Sequence, residues 1–242
     1  MWSGIRSLLL RRSKSWLARD VTKRYDTSNA EQLAVGLRQA RMALGRKQVV
    51  VMPTDTGYAL VANAFSPAGV ATLREVKGWD RPIPPQVLIP GFPTLAALAA
   101  EVSEPVTALT QEFWPGALSV IVPAGDSLQW DLGDNHGTVM LRMPAHTVAS
   151  ELLLEVGPLA ATQAAPVGVS LSTLDEIEQA FGDQVAVFLE DPALQPSGPS
   201  TVVDATSWGL EKGTIRIVRA GDIPTEAIVE LLGEDLVTDS SA

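Results

Sequence analysis

Three short stretches place hydroxyl, acidic or basic side chains beside predicted strands, where they could bind a charged ligand. The first, PTDTGYA (residues 53–59), directly follows a predicted buried strand at 48–52. Because open α/β sheets usually bind ligands at strand ends, the hydroxyls of Thr54 and Thr56 are candidates to hydrogen-bond a carboxylate or a phosphate, and Asp55 could take an amine or a metal ion. The same residue types also form ordinary turns, and this alternative stays open.

The second stretch, KGWDRPIPP (residues 77–85), carries two cations on either side of a tryptophan and an aspartate. Lys77 and Arg81 lie four residues apart, which is up to about 14 Å in an extended chain. They could bracket a polyphosphate or could be solvated surface charges. The third stretch, TVMLRMP, places Arg142 inside an apolar strand. A buried charge needs a partner, so Arg142 requires either a structural carboxylate or an anionic ligand.

Composition and missing motifs exclude several classes of protein. The 242 residues contain no cysteine and two histidines, which excludes disulfides, thiol nucleophiles and cysteine-based metal sites. No Walker, dinucleotide-binding, nucleophile-elbow or zinc-peptidase motif is present. No apolar run reaches the roughly 20 residues of a membrane span, and we expect a cytoplasmic protein without membrane contact.

Charge is distributed unevenly along the chain. Residues 1–25 carry seven Lys and Arg against one Asp, whereas the remainder carries 11 against 27. We therefore divide the chain into a basic extension at 1–22, predicted to be disordered, a domain at 23–235 and a flexible tail at 236–242. The extension could alternatively be a transit peptide, an arm that contacts a membrane or RNA, or the product of a start codon placed too far upstream.

From residue 28 onward the hydrophobic pattern alternates between helix and strand. Ser28 and Glu31 have capping-box spacing, which predicts a helix to about residue 46, and Ser66-Pro67 predicts the start of a second helix. Further helices are predicted at 93–100, 104–112, 147–156, 173–181 and 224–233, and strands at 48–52, 86–90, 117–122, 138–143, 159–163, 185–189, 201–205 and 214–218. This order predicts a single-domain α/β fold with an open, twisted, mixed sheet flanked by helices.

Several motifs in a fixed order resemble one known family. They are VVVMPTDTGYALVANAF, EVKGWDRPIPPQVLI, EFWPGALSVIV, WDLGDNHGTVMLRMPAHTVASELL, GPLAATQAAPVG and PSTVVDAT with IRIVRAGDI. Over about residues 23–235 the chain resembles the YrdC-like threonylcarbamoyl-AMP synthases, and FWPGALS with GTVMLRMP is most similar to the actinobacterial members.

The resemblance implies an activity and its substrates. The family condenses L-threonine, bicarbonate and ATP, the last with Mg²⁺, to threonylcarbamoyl-AMP and pyrophosphate, which is the first step of the tRNA modification t6A. Partners would be these substrates, the downstream t6A transferase machinery and RNA. The acidic body lacks the basic surface that RNA binding needs, so only the basic extension could supply one.

The resemblance also assigns roles to individual residues. It places Thr54, Thr56, Arg142 and Ser200 on threonine. It places Lys77, Thr138, Gln163 and Arg219 around the nucleotide, with Lys77 and Arg81 as the catalytic cations. No residue is assigned to a metal.

The chain departs from the family at two motifs. Members typically show Lys-x-Arg and, later, Ser-x-Asn, whereas this chain has KGW at 77–79 and QAA at 163–165. Arg81 is the nearby candidate for the missing arginine, and Gln163 can still hydrogen-bond where the serine stood. Three hypotheses stay open: an active synthase with a rearranged nucleotide site, an impaired paralogue that binds nucleotide, amino acid or RNA without turnover, and a scaffold protein with a vestigial cavity.

Overall fold

A computed structural model describes residues 23–79, 83–125, 130–208 and 213–240. The basic extension at 1–22 and Arg81 lie outside these ranges. The helices are α1 (Ala30–Gly45), α2 (Pro67–Lys77), α3 (Phe92–Leu98), α4 (Glu104–Phe113), α5 (Thr147–Val156), α6 (Leu174–Phe181) and α7 (Thr225–Leu232). The strands are β1 (Lys23–Asp26), β2 (Val50–Thr54), β3 (Gly57–Asn63), β4 (Gln86–Leu88), β5 (Leu118–Pro123), β6 (Thr138–Arg142), β7 (Leu159–Gln163), β8 (Val187–Glu190), β9 (Thr201–Asp204), β10 (Ile215–Arg219) and β11 (Val237–Asp239).

These strands form one open mixed sheet in the order β1-β8-β2-β3-β7-β4-β6-β5-β9-β10-β11. The sheet contains parallel pairs, such as β4 with β6, and antiparallel pairs, such as β9 with β10. The predicted α/β class with a mixed twisted sheet is confirmed, and so is the antiparallel pairing of the strands near 201–218.

Two apolar layers cover the sheet. On one face, α2, α3, α4, α6 and α7 contribute side chains such as Leu73, Leu109 and Ile228 to the larger buried cluster. On the other face, α1 and α5 pack residues such as Leu44 and Leu152 against β2, β3, β7 and β8. Among the described helices, only these two pack on this second face, and they cover only the half of it that lies around β2, β3 and β7.

The sequence analysis did not predict three of the strands. Strand β3 follows β2 through a tight turn, so its apolar residues were included in a predicted loop. The edge strand β1 is only four residues long. The predicted flexible tail at 236–242 instead contributes β11, which pairs in parallel with β10. A three-residue strand carries too little pattern to be recognised in a sequence.

The cap of α1 also differs from the prediction. Asn29, not Ser28, is the cap residue, and its side chain accepts hydrogen bonds from the backbone N–H groups of Glu31 and Gln32, both at 3.0 Å. Ser28 instead hydrogen-bonds Asp26 with both its backbone N–H and its hydroxyl. The predicted cap at Ser66 is confirmed, because its hydroxyl accepts the N–H of Gly69 at 3.1 Å.

The cap assignment gives a stability prediction. Replacing Asn29 with Ala removes the acceptor for two orphan N–H groups and should lower the free energy of unfolding by about 1 kcal/mol. Ser28→Ala is the matched variant and should cost about half of that or less, because it removes no helix cap. Urea unfolding measures both variants; a larger loss for Ser28→Ala would contradict the assignment.

Candidate active site

The uncovered half of the second sheet face carries several polar side chains. Arg142 pairs with Leu88, which belongs to the layer beneath α1 and α5, so the two side chains share this face. Alternation along β6 and the register with β5 and β9 place Thr138, Ser119 and Arg219 on the same face. We call this surface, formed by Gln86, Ser119, Thr138, Arg142 and Arg219, the open face.

The turn between β2 and β3 borders the open face. Thr54 is buried, and its hydroxyl donates to the carbonyl of Gly57 at 2.6 Å while accepting the N–H of Thr56 at 3.3 Å. Gly57 has φ +113°, a conformation that favours glycine. The hydroxyl of Thr54 therefore shapes the turn, and the turn presents Asp55 and Thr56 towards the open face.

Arg142 joins this turn to the other half of the sheet. Its side chain is 2% exposed, and its Nη2 donates to Asp55 Oδ1 at 2.6 Å. Its Nη1 donates to the hydroxyl of Thr56 at 2.6 Å, and its Nε to the carbonyl of Gly116 at 2.9 Å. The required partner of this buried charge is thus Asp55, although one hydrogen on each Nη is not used in these contacts.

Burial and neighbouring charges set the electrostatics of Arg142. Burial lowers the pKa of Arg142, Asp55 opposes that effect, and the positive charge of Arg219 lowers the pKa further. Two guanidinium groups therefore act on the same space. Such a space attracts carboxylate and phosphate oxygens, which is the chemistry predicted for Arg142 and Arg219.

Lys77 ends α2 and ties it to the loop after β7. Its ammonium donates to the carbonyl of Gln163 at 2.9 Å and to that of Ala165 at 2.5 Å. Lys77 is 9% exposed, and burial lowers its pKa. Two of the three ammonium hydrogens thus hold backbone, which leaves one for a ligand.

The remaining predicted residues lie at strand ends. Ser200, just before β9, is buried and hydrogen-bonds Arg219. Thr138 donates its hydroxyl to the carbonyl of Asn135 at 2.8 Å, which fastens the loop before β6. Gln163 ends β7 with its side chain exposed. Their predicted ligand roles stay predictions, as does that of Arg81.

A segment at residues 191–200, which we call the strap, crosses beside the turn. The N–H of Ser197 donates to the carbonyl of Asp55 at 3.0 Å. The hydroxyl of Tyr58 donates to the carbonyl of Asp191 at 3.1 Å, and His146 Nε2 lies 3.1 Å from Asp191 Oδ2. The strap ends at Ser200, so its contacts help to place that residue.

Sequence reasoning missed Ser119 and Gln86. Ser119 is fully buried, and its hydroxyl lies 3.0 Å from that of Ser200 and 3.2 Å from Gln86 Oε1. The available signal was a serine within the apolar strand ALSVIV, analogous to Arg142 in its own strand.

Two surface cavities, of about 330 and 270 Å³, lie away from the open face, one beside the end of α1 and one between α3 and α4.

Comparison with known proteins places this geometry in a family. The Sua5_yciO_yrdC family model, described as "Telomere recombination", matches residues 42–221. The chain belongs to this family. A provisionally named threonylcarbamoyl-AMP synthase of Mycobacterium tuberculosis (strain ATCC 25618 / H37Rv) is 42% identical over 216 residues, which cover 89% of this chain and 97% of that protein. The threonylcarbamoyl-AMP synthase of Pyrococcus abyssi is 31% identical over 189 residues, 77% of this chain and 54% of that protein.

Solved structures agree with the family assignment. The crystal structure of P. abyssi Sua5 complexed with L-threonine matches with a TM-score of 0.75 at 26% identity, covering 90% of this chain and 62% of that chain. E. coli YciO matches with a TM-score of 0.72 at 21% identity, covering 86% of this chain and 97% of that chain, and this likeness supports the fold alone. The open α/β sheet is confirmed, and this chain spans about 62% of the length of the P. abyssi Sua5 chain.

The ion pair of Asp55 with Arg142 gives a second stability prediction. Asp55→Ala leaves a buried guanidinium without its counter-charge and should lower the free energy of unfolding by about 3 kcal/mol. Asp183→Ala, at an exposed aspartate, is the control and should change it by about 0.5 kcal/mol or less. Equal, small decreases in the free energy of unfolding of the two variants in urea would show that the ion pair does not stabilise the fold.

Proposed function

We propose that this protein is an L-threonylcarbamoyladenylate synthase, which converts L-threonine, bicarbonate and MgATP to threonylcarbamoyl-AMP and pyrophosphate. The observation that carries the proposal is the contact of Arg142 with Thr56 and Asp55, which gathers a guanidinium, a hydroxyl and a carboxylate at one place on the open face. An amino acid offers a carboxylate and an ammonium, which are the charges complementary to this set. Family membership and the relatives named for this reaction support the same conclusion.

The reaction joins three substrates in two bond-forming steps. The amine nitrogen of threonine bonds to the carbon of bicarbonate, and water leaves, which gives a carbamate. A carbamate oxygen then bonds to the α-phosphorus of ATP, while the bond between that phosphorus and the bridging oxygen breaks and pyrophosphate leaves with the electron pair. Both steps bring anions together, so the protein must mainly position the substrates and neutralise charge.

The residues of the open face, together with Thr56 and Lys77, suit these tasks. The unused N–H groups of Arg142 would bind the threonine carboxylate, with Thr56 beside it. Arg219 and the third ammonium hydrogen of Lys77 would bind phosphate oxygens. Within the described ranges no cluster of three or more acidic or histidine side chains could hold a metal ion, so Mg²⁺ would enter as part of MgATP.

The proposed cellular role is the first step of t6A formation on tRNA, in the cytoplasm. The product would pass to the transferase that acts on tRNA. No helix in the described part of the chain is long and apolar enough to cross a membrane. Direct RNA binding would need the basic extension at 1–22, because the body of the chain is acidic.

The proposal is tested by pyrophosphate release from MgATP, with threonine or bicarbonate omitted in turn. Release should depend on both, and Thr56→Val should raise the KM for threonine about 10-fold, since it removes a hydroxyl beside the carboxylate site. Thr72→Val, on α2 away from the open face, is the matched control and should leave the KM values for threonine and for bicarbonate unchanged. No threonine-dependent release above a buffer blank would overturn the proposal.

A further inference from the structure

A chain of four polar side chains crosses the open face from β4 to β10. Gln86 Oε1 lies 3.2 Å from Ser119 Oγ, and Ser119 Oγ lies 3.0 Å from Ser200 Oγ. Ser200 Oγ in turn lies 2.8 Å from Arg219 Nη2. Neither serine is more than 3% exposed, so their hydroxyl groups depend on one another for hydrogen bonds.

The side-chain oxygen of Gln86 faces Ser119, and this orientation sets the direction of the hydrogen bonds among the four side chains. A serine hydroxyl has a single hydrogen, and Ser119 donates its hydrogen to the carbonyl oxygen of Gln86. Ser119 can therefore only accept from Ser200, and the hydrogen of Ser200 is committed to that bond. An arginine cannot accept, so Ser200 receives its second bond from Arg219. Donation runs from Arg219 through Ser200 and Ser119 to Gln86.

The chain fixes the orientation of the Arg219 guanidinium. Arg219 Nε and Nη2 donate to the carbonyl of Ser200 at 3.1 and 2.7 Å, and Nη2 also donates to the Ser200 hydroxyl. These contacts use the Nε hydrogen and both Nη2 hydrogens. The two hydrogens of Nη1 remain on the opposite edge of the group, and Arg219 is exposed at the surface of the sheet.

We propose that Ser119 and Gln86 are positioning residues, which hold Ser200 as an acceptor and thereby aim Nη1 of Arg219 at an anionic oxygen of the substrate. This inference rests on the proposed function only for the identity of the anion. The geometry of the four hydrogen-bonded side chains does not depend on that function.

Burial explains why these four hydrogen-bonded side chains can orient a charged group. The hydroxyl of Ser119 is shielded from water, so loss of one partner leaves the next polar atom unsatisfied. The alternative is that Ser119 serves only to pack the core. Ser119→Ala would then be nearly neutral for Arg219, because it removes a single oxygen and leaves the backbone of β5 unchanged.

The test compares the full-length protein with Ser119→Ala, Ser119→Thr and Ser103→Ala. Ser119→Thr restores the hydroxyl, and Ser103→Ala is the matched control, because the buried hydroxyl of Ser103 has no hydrogen-bond partner among the described residues. The first readout is the NMR signal of Arg219 Nε–H in the ligand-free protein, assigned with Arg219→Lys. The second is calorimetric binding of inorganic pyrophosphate.

The buried hydroxyl of Ser200 loses its acceptor in Ser119→Ala, so the melting temperature should fall by a few degrees. The same variant should speed solvent exchange of Arg219 Nε–H several-fold and weaken pyrophosphate binding about 3- to 10-fold. Ser119→Thr should restore both values, and Ser103→Ala should alter neither. Exchange and binding within 2-fold of wild type in Ser119→Ala would overturn the inference. The exchange readout needs no ligand or turnover, so failure of the proposed function would leave it interpretable.

Discussion

The buried guanidinium of Arg142 is the constraint around which the rest of the site is arranged. It lies at the end of β6, and its partner Asp55 lies at the end of β2, four strands away in the sheet. An unpaired charge at this depth would cost several kcal/mol, so the turn after β2 and the end of β6 must lie in contact. The contact links the covered half of this face, through the turn after β2, to the uncovered half, through β6.

Other polar side chains of the site are also held by hydrogen bonds to the protein. Thr54 shapes its turn, Lys77 ties α2 to the loop after β7, and Ser200 holds Arg219. Each of these was expected to bind substrate directly. In the structure each forms hydrogen bonds with the protein that fix its position. The site is therefore preorganised, which suits a reaction whose main requirement is positioning.

Sequence patterns predicted the fold class, most helices and the need of Arg142 for a partner. They did not identify that partner, because Asp55 is 87 residues away and the contact arises only in the folded sheet. Ser119 was overlooked since a single serine does not disturb an apolar strand pattern. Strand β3 was missed because its first residues are also turn residues, and β11 because it is so short. Local patterns report on periodicity, whereas these features depend on tertiary contacts.

The substitutions at the two family motifs also gain a physical account. Lys77 reaches the carbonyls of Gln163 and Ala165, so its contact with the second motif needs only backbone atoms and survives the change of side chains there. Ala164 and Ala165 are buried and help to fill the core under that loop. The backbone contacts between Lys77 and the second motif are thus maintained although the side chains of that motif have changed.

The most direct test of this account is identification of the product by mass spectrometry. The protein would be incubated with ¹³C-bicarbonate, L-threonine and MgATP, and the reaction quenched rapidly. The account predicts a species that contains threonine, one labelled carbonyl and AMP, about one mass unit heavier than its unlabelled counterpart. Conversion of ATP without any labelled threonine-containing adenylate, or no conversion at all, would contradict it.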